Sequence, residues 1–289
     1  MSARTLCLLI PMLCGLCGCS AFDVLNALAP SDGYVRTKSI AYGPLPRQKL
    51  DLYQPRRGGP HAGIVVFFYG GDWQSGNKGA YRFVAEGLIS KGFIAVLPDY
   101  RLYPAVRFPA FVEDGALAVR WVHDHAREIG GNPDDIFLMG HSAGGHIAAL
   151  LTLDGRYLRA VGLDRRDIAA TAGLAGPYEF LPPRKDRRVF DMPKGAEAPA
   201  PDVEPINFVD GREAPMLLLT GTQDRTVPPE NALKLARRIW QSGGVATYIA
   251  YEKVGHVQLV LSLAAPFRWI SPALEDVNAF FRQHERPMK

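Results

Sequence analysis

Four short runs in this chain are apolar almost from end to end: GIVVFFY at 63–69, GFIAVLP at 92–98, DIFLMG at 135–140 and PMLLLTG at 215–221. A strand with one face in water alternates apolar and polar residues; these runs do not, so both faces must be covered. Stretches with helical spacing lie between them, at 80–90, 108–126, 143–153, 228–242 and 272–285. Further strands are expected at 35–42, 49–53, 168–176 and 246–252. Buried strands that alternate with helices predict an α/β fold: one mostly parallel sheet of about eight strands with helices on both faces. Functional groups in such a sheet gather beyond the carboxyl ends of the strands. At 289 residues, 47% of them hydrophobic, the chain can bury a core of that size in a single domain, expected over 34–289.

The run at 135–140 ends at a glycine, and Gly140-His141-Ser142-Ala143-Gly144 follows. The G-x-S-x-G pattern between a strand and a helix is a nucleophile elbow: the turn is so sharp that a Cβ two residues before or after the serine would clash. The pattern alone also fits a glycine-rich turn with a helix-capping serine. A nucleophilic serine needs a base, and in the fold that carries this elbow the chain order is serine, then acid, then histidine. His256, in a loop past the strand at 246–252, meets that order; His284 sits among charges near the end of the last helix. Asp224 follows the strand at 215–221 and is the candidate acid, whereas Asp210 precedes that strand and falls at the wrong rim. Tyr69-Gly70-Gly71-Asp72-Trp73 follows the strand at 63–69, where a glycine pair lets backbone N–H groups approach an oxyanion closely. The N–H of Ala143, after the serine, would complete that hole.

Five ordered segments, FFYGGDWQSGNK, PDYRLYPAVRFPAFVEDGALAVRWV, GHSAGGH, TGTQDRTVPPENA and VGHVQLV, together resemble the α/β-hydrolases of the esterase/lipase branch, which include the BD-FAE, hormone-sensitive-lipase-like and kynurenine-formamidase-like enzymes. The resemblance runs from about residue 35 to 285. It implies Ser142 as nucleophile, His256 as base and Asp224 as its orienter, with oxyanion donors on Gly71, Asp72 and Ala143. It implies a carboxylic-ester hydrolase acting on short acyl groups of small-molecule esters, without metal or cofactor. Amidase, formamidase or glycan deacetylase chemistry on the same site is the alternative; a non-catalytic binding protein is the alternative of another class. Asp99, Arg101 and Asp114 match positions expected to hold loops near the site. One position departs from the family: Tyr69 stands where a histidine usually precedes the glycine pair. The irregular, proline-rich stretch 178–208 is the expected substrate-covering insertion, with Trp73, Phe180, Leu181 and Phe190 as candidate pocket walls.

All four cysteines, Cys7, Cys14, Cys17 and Cys19, lie in the first 19 residues. Arg4 and the apolar run after it read as a signal segment too short to span a bilayer as a stable helix. Leu16-Cys17-Gly18-Cys19 resembles the box that precedes the modified cysteine of bacterial lipoproteins. The resemblance implies cleavage after residue 18, lipid on Cys19, and a membrane-anchored protein of the cell envelope. Ser20 would direct it to the outer membrane. Residues 19–33 are expected to form a tether. The net charge of +4 comes from 33 basic and 29 acidic residues mixed along the chain, a balance that argues against nucleic acid as a partner.

Overall fold

The computed structural model describes residues 21–57, 62–180, 188–190 and 201–286. The expected signal segment at 1–18, the candidate lipidation site Cys19 and the candidate pocket residue Leu181 lie outside them. The described strands are β1 (Tyr34–Ala41), β2 (Lys49–Pro55), β3 (Ala62–Phe68), β4 (Ile94–Pro98), β5 (Gly131–His141), β6 (Ala170–Leu174), β7 (Met216–Gly221) and β8 (Ala246–Tyr251). They form one sheet in the order β1-β2-β4-β3-β5-β6-β7-β8. β2 pairs antiparallel with both β1 and β4, and every other pairing is parallel. This is the α/β-hydrolase fold.

Ile64 to Phe68 of β3 and Ile136 to Met139 of β5 are wholly buried, as unbroken apolar runs require. β8, at the sheet edge, is only half-buried over most of its length. β5 begins at Gly131, four residues before the apolar run that announces it; its polar first half is invisible to a hydrophobicity pattern.

The helices are α1 (Ala21–Leu28), α2 (Arg82–Ser90), α3 (Ala110–His125), α4 (Ala143–Leu153), α5 (Gly155–Ala160), α6 (Glu230–Gln241), α7 (His256–Leu261) and α8 (Ala273–Gln283). All of α4, AGGHIAALLTL, is buried. Its small residues let it lie close on the sheet, and it runs back through the core from the rim where the parallel strands end. Among the described residues no helix is long and apolar enough to cross a membrane.

Chain order positions the site. After β3 the chain adds β4 on one side, and from β5 onward it builds on the other. The crevice between the carboxyl ends of β3 and β5 is therefore a topological switch point, where ligands bind in open α/β sheets. The Gly70–Gly71 loop leaves the end of β3, and Ser142 leaves the end of β5, so both enter this crevice.

One expectation is corrected. The tether foreseen over 19–33 is folded onto the domain at 21–28. Phe22, Leu25 and Ala29 recur at helical spacing, with Leu25 and Ala29 buried in the main core. Phe22 packs on Tyr81 at 5.1 Å and on Phe83 at 6.0 Å between ring centres. Asn26 secures the helix: its Nδ2 donates to the carbonyls of Gly79 (2.9 Å) and Ala80 (3.1 Å), and its Oδ1 accepts from the Phe83 N–H.

Candidate active site

Ser142 has φ 55° and ψ −122°, a conformation that costs a non-glycine residue energy. Its surroundings leave no alternative. A Cβ on Gly140 would overlap the backbone of Gly144, and one on Gly144 would overlap the carbonyl of Phe68 at the end of β3. The Ser142 N–H donates to the Leu174 carbonyl at 2.9 Å, which ties the turn to β6. The hydroxyl is thereby raised above the sheet at the amino end of α4, where unpaired N–H groups and the helix dipole favour negative charge.

His256 opens α7, just beyond β8, and its Nε2 lies 2.9 Å from Ser142 Oγ. Its Nδ1 lies 2.7 Å from Asp224 Oδ2, and the Asp224 side chain is inaccessible to solvent. A buried carboxylate needs further donors. The N–H groups of Thr226 and Val227 supply them, each 2.9 Å from Asp224 Oδ1. One carboxylate oxygen is thus used to hold the acid and the other to hold the imidazole. Three residues separated by 82 and 32 positions converge at one rim, in the order acid, base and hydroxyl. The rejected alternative, Asp210, pairs instead with Arg165.

His141, in the elbow itself, adds a contact that its variable place in G-x-S-x-G does not advertise. Its Nε2–H donates to the His256 carbonyl at 3.1 Å, and the two rings lie 4.8 Å apart. Its Nδ1 is buried without a partner. Burial, then the neighbouring His256 imidazole, lowers its pKa to about 3, so this ring stays neutral.

The loop after β3 bends through three consecutive left-handed residues, Gly71 (φ 135°), Asp72 (φ 53°) and Trp73 (φ 58°). Only a glycine fits at 71, where a Cβ would overlap the Ser75 carbonyl. The N–H groups of Gln74 and Ser75 both donate to the Gly71 carbonyl at 3.0 Å, closing the turn. Gly71, Asp72 and Ala143 all line the same cleft as Ser142 and His256, a cavity of about 510 Å³.

The candidate pocket walls divide. Trp73 lines the cleft. Phe190 is buried behind it, edge to face at 4.8 Å, and Phe180 packs on Phe190 at 5.2 Å. Neither is among the residues lining the cleft around Ser142; both pack against Trp73, which is. Phe22 and Val257 do line it, and neither was foreseen. The spacing Phe22, Leu25, Ala29 was the available signal for the first; nothing in the sequence marked Val257.

The loop-holding residues fall where expected. Asp114, wholly buried, accepts from the Arg101 N–H (2.8 Å), from Arg101 Nε and from Gln48 Nε2 (2.7 Å). Asp99 accepts from the backbone N–H of Lys78 at 2.8 Å and from its ammonium at 3.1 Å.

Fold and constellation together place the chain among the α/β-hydrolases. The model of the BD-FAE family matches residues 50–239, and the chain belongs to that family. The relative "Probable isoprenylcysteine alpha-carbonyl methylesterase ICMEL1" of Arabidopsis thaliana is 32% identical over 248 residues, which cover 79% of this chain and 52% of the relative. Esterase LipC of Mycobacterium tuberculosis is 27% identical over 247 residues, covering 78% and 59%. The chain thus spans between half and three fifths of the length of these curated relatives. Among solved structures, an esterase of Thermogutta terrifontis, Est2, superposes with a TM-score of 0.69 at 26% identity, covering 87% of this chain and 92% of its own. A gut-microbiota carbohydrate esterase superposes with a TM-score of 0.76 at 21% identity, a likeness of fold, over 89% of this chain and 99% of its own.

Proposed function

We propose that the protein hydrolyses short-chain carboxylic esters of small molecules through an acyl-enzyme on Ser142. One observation carries the reading: the relay from Asp224 through His256 to Ser142, with contacts of 2.7 and 2.9 Å at the floor of an open cleft. His256 takes the Ser142 proton as Oγ attacks the ester carbonyl. Asp224 keeps the imidazole proton on Nδ1 and stabilises the imidazolium that forms. The tetrahedral oxyanion is held by N–H groups of Gly71, Asp72 and Ala143, each worth roughly 3–4 kcal/mol of barrier. His256 then protonates the departing alcohol. In the second half it activates water, which releases the acid and restores the hydroxyl. The neutral His141 donates to the His256 carbonyl and holds the start of α7 in register without adding a second positive charge beside the imidazolium.

The same reading includes an anchor. Lipid on Cys19, with its several buried acyl chains, gives a firm hold on the envelope membrane. Cys19 precedes the cleft-lining Phe22 by three positions, so at about 3.5 Å per residue the cleft wall stands within roughly 10 Å of the anchor. The mouth would then face the membrane surface, which favours small or amphiphilic esters over bulky polymers.

The test is steady-state hydrolysis of p-nitrophenyl esters of graded acyl length by the mature protein and by Ser142→Ala. Hydrolysis should be fastest with acetyl to butyryl chains and vanish in the variant. Comparable turnover in both proteins rejects the assignment. Mass spectrometry of membrane-extracted protein should show Cys19 at the amino terminus carrying diacylglyceryl and acyl groups; an unmodified terminus rejects the anchor.

A further inference from the structure

The position that departs from the family, Tyr69, directly follows β3 and starts the oxyanion loop. Its side chain is wholly buried and leaves the cleft, stacking on Tyr100 at 4.5 Å and 19° and on Tyr81 at 5.8 Å and 22°. The Tyr100 hydroxyl donates to the Tyr69 carbonyl at 2.8 Å. The Tyr69 hydroxyl meets Arg47, from the turn between β1 and β2, which matches none of the motifs. Arg47 Nη2 donates to Tyr69 Oη at 2.7 Å and to the Gly76 carbonyl at 3.1 Å; Nε donates to the Tyr100 carbonyl at 2.8 Å. Asp99, 3.7 Å away, neutralises the guanidinium. Gly76 in turn sits at φ 103°, and a Cβ there would press on the Tyr69 ring at 2.9 Å.

One guanidinium therefore bonds both ends of the loop 69–76 from its outer side, and the Tyr69 ring fills the space beneath it. Arg47 and Tyr69 are not among the residues lining the cleft. We propose that Arg47 and Tyr69 form a clamp, in place of the family's histidine, that positions the N–H groups of Gly71 and Asp72 for the oxyanion. Burial raises the Tyr69 pKa far above its usual value, so the hydroxyl stays protonated and the clamp does not titrate in the working range. Both are positioning residues: they act on the reaction only through the loop. The oxyanion exists in the transition state and not in the bound ester, so loosening the loop should lower kcat and leave KM nearly unchanged.

The inference rests on the esterase reading, and the experiment separates the two. Hydrolysis of p-nitrophenyl acetate is measured for the wild type, R47A, R47K, Y69F and R47A/Y69F, beside S142A. Inhibition by an alkyl trifluoromethyl ketone, which forms a tetrahedral oxyanion on the serine, is measured in parallel. R47A and Y69F should each lower kcat about tenfold, with KM within about twofold and ketone affinity reduced in step with kcat. The double variant should be close to either single, because both remove one clamp. R47K, which keeps the charge without the fork, should recover part of the loss. Unchanged kcat in R47A and Y69F, losses that multiply in the double variant, or a loss carried by KM would each overturn the clamp. Y69F and R47K preserve size and packing, and they decide the matter if R47A does not fold. Full activity in S142A would overturn the underlying reading instead, whatever the clamp variants do.

Discussion

The elbow at 140–144 and the helix at 21–28 bound the same cleft, yet they are held by opposite means. The elbow is fixed by exclusion. Ser142 keeps an unfavourable φ because Gly140, Gly144 and Phe68 fill every neighbouring position, and the turn is wedged between β3, β6 and α4. The helix α1 is fixed by attachment. Three hydrogen bonds from Asn26, two ring contacts from Phe22 and the buried Leu25 dock it on the turn before α2. The elbow lies within the residues matched by the BD-FAE model, and α1 lies outside them. The difference teaches where each kind of change is tolerated. At the elbow one added methyl group has nowhere to go. At α1 a lost contact alters the shape of the cleft wall and leaves the reacting atoms in place.

Substitutions can break or sharpen that contrast. The largest effect belongs to the relay that the elbow presents. Ser142→Ala should lower kcat/KM for p-nitrophenyl acetate by about 10⁴–10⁶-fold, and Asp224→Asn by about 10⁴-fold with the fold intact by circular dichroism. Next is Gly144→Ala. Its Cβ would strike the Phe68 carbonyl, which is backbone and cannot swing away, so a stability loss of several kcal/mol is expected in urea unfolding. A cost under 1 kcal/mol would mean that the elbow is not wedged.

A smaller effect tests the neutral His141. Burial holds its folded pKa near 3, against about 6.5 in the unfolded chain. Above pH 6.5 neither state carries the proton and the ring costs nothing. Below it the unfolded chain takes up a proton that the folded one refuses, so stability falls with pH, by up to about 1.4 kcal/mol per unit, until the folded ring titrates near 3. His141→Gln keeps a donor and does not titrate. Urea unfolding between pH 6.5 and 4.5 should show a shallower slope in the variant, and parallel slopes would contradict the buried neutral ring.

The smallest effect lies at α1. Phe22→Ala should leave kcat for acetate within about threefold while raising kcat/KM for bulkier acyl esters several-fold, because the wall recedes and the relay does not move. An acetate rate that collapses would show that α1 supports the elbow as well.

The same contrast explains what could be read from the residues alone. The sheet was legible because β3, β4, β5 and β7 are buried on both faces and so carry unbroken apolar runs. The relay was legible because each member follows a strand and lies within three residues of a glycine, in an order that the fold imposes. Phe22 escaped because eight residues of helix ahead of the first strand give a weak pattern, and the docking that stabilises it is tertiary. His141 and Arg47 escaped because their work is a single hydrogen-bonding geometry with residues 115 and 22 positions away, which no local spacing encodes. Phe180 and Phe190 were expected near the site because their segment lies between two strands, and their packing against Trp73 is a tertiary contact that no local pattern encodes.

The central claim is that Ser142, and no other hydroxyl, is made nucleophilic by His256 and Asp224. Treatment of the protein with a fluorophosphonate, followed by intact-mass measurement and peptide mapping, reads it directly. One adduct per chain, on the peptide containing Ser142 and lost in His256→Ala, is the predicted result. An unlabelled protein, or an adduct on a different residue, would contradict it.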